Sequence, residues 1–571
     1  MKIEVLRRMA LYFSLAILVA SCSRQDGGQT ALPGRSVVVG IEGDVDSFNP
    51  LFAQDVTAGE INDLFFPGLM CARFDQKTGS LEYSPSLAKS WEFENGNKDV
   101  RFHLRTDVSW SDGVPVTAKD VRLTYELYGD TTVASVRQPS VGELRRSSSG
   151  SIDIGQAVEV LNDSTLFFHF DHPYPGQLFD AGLPILPAHV FEKFPRSSLR
   201  ESSMTRHLPA SGSFYLKTWK PLEEIVLGSN SASRLPRPAK LPQLVFRVIP
   251  DYHSRLAQLR TGEIDVLPYI NAEDAMEIMK SVSEIMIVPM GERFYDAINW
   301  NNIDPSEYAS SQGKHILPHP LFGSSNVRRA LTLAINRKEI VESYLHSYGR
   351  ECVGPISPIF QWAFNDTLTP HPFDPEGAMK LLAMEGWSDT DNDGILDKAG
   401  REFAFTLMVP AGNQLRSTIA AVVQHQLRTI KIDMKIEQVE RSVFWDKVIQ
   451  KKFDACIAGF SIPLQIQMDE LWGGDLERSL MNIPSFRNKR VDEILHGAKR
   501  ILRNSDYAGT WKEFQVILHK EQPCTFLYWL NDLVAVNKRV KGAHVGLLGV
   551  THRAEEWYVA DAAASASNGA R

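Results

Sequence analysis

Strand-like and helix-like segments alternate from about residue 36 to residue 540, and this alternation does most to limit what the chain can fold into. Short β-branched runs occur at residues 37–41, 244–249 and 431–439. Apolar residues recur with helical spacing at 326–345, 375–385 and 415–429. Such alternation predicts α/β domains with parallel or mixed sheets, and 571 residues suffice for two or three of them. No unit of 20 to 50 residues repeats, which excludes a solenoid or a propeller. After residue 22 no apolar run approaches the ~18 residues that suggest a membrane-spanning helix.

The chain begins differently. Lys2, Arg7 and Arg8 precede a weakly polar to apolar run over 9–20, which is too short for a permanent span and fits a signal-peptide core. Val19-Ala20-Ser21-Cys22 resembles the bacterial lipobox, in which small residues precede a cysteine that becomes lipidated. Residues 1–21 are therefore expected to be removed and Cys22 to carry lipid. Residues 22–35, polar and glycine-rich, would form a flexible tether, and 561–571 a disordered tail. The expected location is the periplasm or cell envelope. Without residues 1–21 the chain holds 58 basic and 68 acidic residues, a net charge of −10, which argues against nucleic acid as a partner. Four other cysteines, Cys71, Cys352, Cys456 and Cys524, are widely spaced with no CxxC pair; disulfides and buried free thiols both remain open.

Signatures of catalysis are missing. GxSxG, HExxH and phosphate-binding glycine loops are absent, and prolines interrupt the His315/His319 spacing, so no enzyme is expected. No cofactor is expected either. One acidic segment, 389–397 (DTDNDGILD), begins like a calcium loop through Asp389, Asp391, Asp393 and Asp397, yet Gly400 stands where a bidentate glutamate belongs. A polar surface turn is the favoured reading; calcium there would be structural.

Several stretches, in order, resemble the extracellular solute-binding proteins of family 5, the oligopeptide- and dipeptide-binding components of ABC importers. They include 43–51 (GDVDSFNPL) and, most specifically, 85–125 (PSLAKSWEFENGNKDVRFHLRTDVSWSDGVPVTAKDVRLTY). Others are 210–215 (ASGSFY), 249–267 with its RL…GEID pattern, 327–337 (VRRALTLAINR) and 373–387. Taken as residues, these are fold-building features: Thr117 is placed to cap a helix with Asp120 in the capping-box position, and Arg328 and Arg329 open an amphipathic helix.

The resemblance implies a two-lobe periplasmic-binding-protein-like α/β fold (type II, cluster C) with an extra domain inserted in the first lobe. Lobe I would comprise 36–60, 205–268 and 525–560, the insertion 61–204, and lobe II 269–524, with a hinge near Asp265–Tyr269. It further implies a monomer that closes on a peptide and delivers it to an ABC permease. Relatives also carry nickel chelates, haem, sugars or opines, and a peptide-signal sensor is the alternative outside transport. Tyr295, Asn299, Trp300 and Asn301, with Trp362, Phe460 and Trp472, are the expected ligand contacts. Family members place an aspartate near 459–463 to meet a peptide's amino terminus. Here that stretch (GFSIP) has no carboxylate, and Asp469 is the nearest substitute.

Overall fold

The computed structural model describes residues 35–147, 150–200, 208–499 and 503–560; the expected signal segment, Cys22, nearly all of the tether and the tail at 561–571 lie outside them. The first strand, β1 (Ser36–Ile41), is buried along its whole length. Residues 61–204 then contribute a hairpin, β2 (Met70–Asp75) and β3 (Ser80–Pro85), and a separate antiparallel sheet. That sheet contains β4 (Ala88–Glu94), β5 (Asp99–Leu104), β6 (Val158–Asn162) and β7 (Thr165–His169), in the order β4-β5-β7-β6. The chain returns through β8 (Phe214–Lys220), β9 (Glu224–Ser229), β10 (Gln243–Val248) and β11 (Val266–Pro268). β1 lies parallel to both β10 and β11, as βαβ-type crossovers require.

Two long strands, β12 (Ile285–Trp300) and β19 (Cys524–Asn537), carry the fold from one lobe to the other. Between them in sequence lie β13 (Gly349–Glu351), a small hairpin of β14 (Asp397–Lys398) and β15 (Arg401–Glu402), and then β16 (Ala404–Pro410), β17 (Asp433–Val439) and β18 (Ala455–Ser461). A final pair, β20 (Val540–Lys541) and β21 (Tyr558–Val559), closes the chain. One eleven-stranded sheet runs β17-β16-β18-β12-β19-β11-β1-β10-β9-β8, with β13 beside β19.

The β12–β19 ladder changes register between Pro289 and Glu292, between Glu292 and Phe294, and between Asp296 and Ala297. Such irregularities bend a strand pair and interrupt its ladder. The crossing therefore lies later than the expected hinge at Asp265–Tyr269: β11, the helix Ala272–Ser281 and the start of β12 still pack in one core with β1 and β10. Tyr269, at φ 56°, marks a left-handed turn at the edge of that body.

The segment 61–204 has its own sheet, yet its buried side chains, Phe102, Tyr125 and Phe168 among them, belong to one core with Val37, Phe48 and Leu244 of the first lobe. In the second lobe, side chains on the two faces of β12 enter different cores: Tyr295 and Ala297 one, Ile298 and Trp300 the other.

Local chemistry explains several motifs. The Asp120 carboxylate accepts the Thr117 N–H at 2.7 Å, closing the start of the helix Ala118–Gly129. Gly212 lets its turn sit on the end of the helix Val56–Phe65: Phe65 O accepts the Gly212 N–H at 2.9 Å, and a Cβ on Gly212 would stand 2.0 Å from Leu64 O. The helix expected over 326–345 instead breaks after Leu333 and resumes at Arg337, where the Asn336 side chain caps the second piece. All four cysteines among the described residues are free thiols, and burial pushes Cys352 and Cys456 upward from the ordinary thiol range.

Candidate functional site

The lobes are closed, and several hydrogen bonds among the described residues cross between lobe II and the 61–204 segment. Trp362 Nε1 donates to Gly79 O at 3.1 Å and Gln361 Nε2 donates to Gln76 O at 3.0 Å. His172 Nε2 meets Lys499 O at 2.8 Å; a carbonyl only accepts, so this nitrogen carries the proton. Behind these contacts lies an outer chamber of about 540 Å³, within the size range of small-ligand sites.

Its walls combine aromatic rings with an excess of acid. Tyr174 and Phe179 come from the 61–204 segment, and Trp362 and Phe460 from lobe II. Glu143, Asp180, Asp469 and Glu470 face Lys499 and His172. Tyr174 Oη donates to the Asp180 carboxylate. Burial raises Asp180 to about 7 against that hydrogen bond, and the Glu143 charge adds to the rise. Burial also raises Asp469, opposed by Lys499, whose Nζ lies 3.4 Å from Asp469 Oδ1. A chamber of this kind favours a cationic group carried on an amphipathic body.

An inner chamber of about 270 Å³ lies wholly between lobe I and the 61–204 segment. Tyr83 and Phe179 line both chambers. Glu60, in the inner wall, is held by Val550 N (2.8 Å), Thr551 N (2.9 Å) and Thr551 Oγ1 (2.8 Å).

Residues 82–466 match the sequence profile described as "Bacterial extracellular solute-binding proteins, family 5 Middle". The chain belongs to this family. The oligopeptide-binding protein AppA of Bacillus subtilis is 27% identical over 97% of this chain and 98% of its own. The structure of that AppA in complex with a nonapeptide superposes with a TM-score of 0.70, covering 92% of this chain and 99% of AppA. NikZ of Campylobacter jejuni, solved with Ni(L-His), is 24% identical with a TM-score of 0.72 over 92% of this chain and 100% of its own. Heme-binding protein A of Haemophilus influenzae is 23% identical over 82% of each chain.

Of the ligand contacts expected from family 5 resemblance, the structure brings Trp362, Phe460 and Asp469 together at the outer chamber. It sets the others in the core. Tyr295 packs on Trp529, with ring centroids 5.2 Å apart. Asn299 Nδ2 donates to Ala297 O and Ala458 O, at 3.2 and 3.1 Å. Trp300 is fully buried, with Nε1 on Thr525 Oγ1 at 3.1 Å. Asn301 Nδ2 donates to Phe453 O at 2.9 Å and Lys451 O at 3.2 Å, and Trp472 packs on Phe526 and Phe514. For Tyr295, Asn299 and Trp300 the cause is the position of β12, which lies mid-sheet with a core on each face.

Glu143, His172, Tyr174 and Asp180 were not anticipated. Glu143, His172 and Tyr174 lie in irregular segments of 61–204 and Asp180 ends the four-residue helix Gln177–Asp180, too short for a periodic signal.

The acidic loop of this family 5 chain does not assemble four ligands. Asp389, Asp391 and Asp393 place one carboxylate oxygen each within 4.8 Å of one another. Asp397 instead accepts from Thr390 N at 2.8 Å and Thr390 Oγ1 at 2.6 Å, and Lys431 Nζ holds Asp389 at 2.7 Å. Calcium takes six to eight oxygens, so these three carboxylates would need backbone and water oxygens to complete a site.

Proposed function

We propose that the protein is the peptide receptor of an ABC importer, held outside the cytoplasm by lipid on Cys22. The outer chamber carries this reading: acids that suit a peptide's ammonium group stand beside aromatic walls that suit its side chains, between lobes already closed. Asp469, with Asp180 across the chamber, takes the part of the carboxylate that the 459–463 stretch lacks. The similarity to AppA, solved with a nonapeptide, supports a peptide ligand. The chamber volumes favour a short one. Ligand shifts the population toward the closed form by binding it better than the open form, and the closed form is what the permease reads.

The test is thermal unfolding of protein that has been denatured and refolded to strip carried-over solute. Ligand at ~100 times its dissociation constant stabilises by about 2.7 kcal/mol. Di- to tetrapeptides are expected to raise Tm, and N-acetylation or Asp469→Asn to remove most of the gain. Stabilisation by a nickel chelate or haem but by no peptide would overturn the proposal.

A further inference from the structure

Two opposite charges, Arg137 and Asp63, face the inner chamber and act on each other, but no hydrogen bond or ion pair joins either side chain to another group among the described residues. Arg137 also lies close enough to Tyr125 and Tyr128 to influence them, and its Nε is buried without a hydrogen-bond partner. The Asp63 carboxyl lines the chamber, and desolvation there pushes it above the ordinary carboxylate range. The remaining charged side chains there are spoken for. Glu60 is capped by Val550 and Thr551, Arg237 pairs with Glu555 at 3.1 Å, and Arg553 pairs with Glu556. A half-buried guanidinium with idle N–H groups in a chamber is costly unless something arrives to accept from them.

We infer that Arg137 anchors the ligand's carboxylate. Resting on the peptide reading above, this makes the two chambers one directional channel. The ammonium end stays among the outer acids, the chain runs past Tyr83 and Phe179, which line both chambers, and the free carboxylate docks on the Arg137 fork in the inner chamber. Asp63 opposes the docking while ionised. Its raised carboxyl lowers the cost of protonation beside an incoming carboxylate, and a protonated Asp63 donates to it.

The experiment is isothermal titration of the full chain with trialanine and tetra-alanine, each as free acid and as C-terminal amide. The wild type is expected to favour the acid at least tenfold. Arg137→Gln is expected to lose that preference by weakening only the acid, Arg137→Lys to keep much of it, and Asp63→Asn to keep or increase it. Equal acid-to-amide ratios in wild type and Arg137→Gln, or a wild type that binds both forms alike, would overturn the anchor while leaving the peptide reading standing. A wild type that binds neither form would overturn both. Circular dichroism melts of each ligand-free variant separate a misfolded protein from a lost contact.

Discussion

Arg293 and Ile462 are joined twice, through the Ile462 N–H to Arg293 O and through Arg293 Nε to Ile462 O, both at 2.8 Å. The same guanidinium sends Nη1 to Leu547 O in the first lobe, also at 2.8 Å. Arg293 stands within the irregular stretch of β12, so one side chain fastens lobe II to lobe I where the strands bend. Burial lowers it from the ordinary arginine range, while Asp532 beside it works the other way.

Arg293→Met removes this fastening and leaves Asp532 uncompensated. Hydrogen bonds from a charged donor contribute ~1.5–3 kcal/mol each, and the open form regains part of that from water. Small-angle scattering of the ligand-free variant is expected to show a larger radius of gyration than wild type. Peptide affinity is expected to fall about tenfold, because the closed form is no longer pre-populated. Unchanged scattering and affinity would show that the bend alone sets closure.

The outer chamber should be pH-sensitive through Asp180. Its folded value, about 7, exceeds the unfolded one, so the folded state binds the extra proton. The associated stability is present below about pH 4 and is lost as pH rises through about 7. Asp180→Asn keeps an acceptor for Tyr174 and carries no charge. It is expected to raise stability over wild type near pH 8 by at most about 4 kcal/mol more than near pH 4, measured by urea melts at the two pH values. Peptide binding by wild type is expected to weaken as pH falls through about 7, where Asp180 becomes neutral.

In the second lobe, Asp296 is buried and receives Arg416 Nη2 at 2.7 Å, Arg416 Nε at 3.0 Å and Tyr528 Oη at 2.8 Å. Removing one partner of a buried pair costs ~3–5 kcal/mol, because the other charge is stranded. Arg416→Met is expected to lower stability by that amount, and Arg416→Met with Asp296→Leu to recover part of it. A double variant no better than the single one would show that the pair is not the source of the loss.

Much of this architecture was legible in the sequence, for reasons that differ by element. The strand at 37–41 and the helices at 375–385 and 415–429 were visible because periodicity reports which faces are buried. The crossing in β12 was not, since residues 285–300 form one strand whose bend depends on its pairing with β19, more than 200 residues away. The same limit applies to the expected contacts on β12. Aromatic and amide side chains in "FYDAINWNN" have a ligand's complementary chemistry, but Tyr295 and Asn301 spend it on Trp529 and on Phe453 O. Phe460, near the end of β18, remains only partly covered and does reach the chamber.

That distinction between core and wall is open to a direct comparison of two tryptophans. Trp300 is fully buried against Phe322, with ring centroids 5.3 Å apart, and its indole N–H is satisfied by Thr525. Trp300→Ala is expected to cost about 3–5 kcal/mol, the range for removing a large aromatic from a core. The variant that remains folded should bind peptide with wild-type affinity, since Trp300 lines neither the outer nor the inner chamber. Trp362 is half-buried on the chamber wall, and its indole N–H reaches Gly79 O only when the lobes meet. Trp362→Ala is therefore expected to leave the ligand-free melting temperature nearly unchanged and to weaken peptide binding about tenfold or more. Calorimetric titration of both variants decides the matter. A Trp300 variant with weakened binding at full folding would return β12 to the site, and a Trp362 variant with intact binding would remove the closure contact from it.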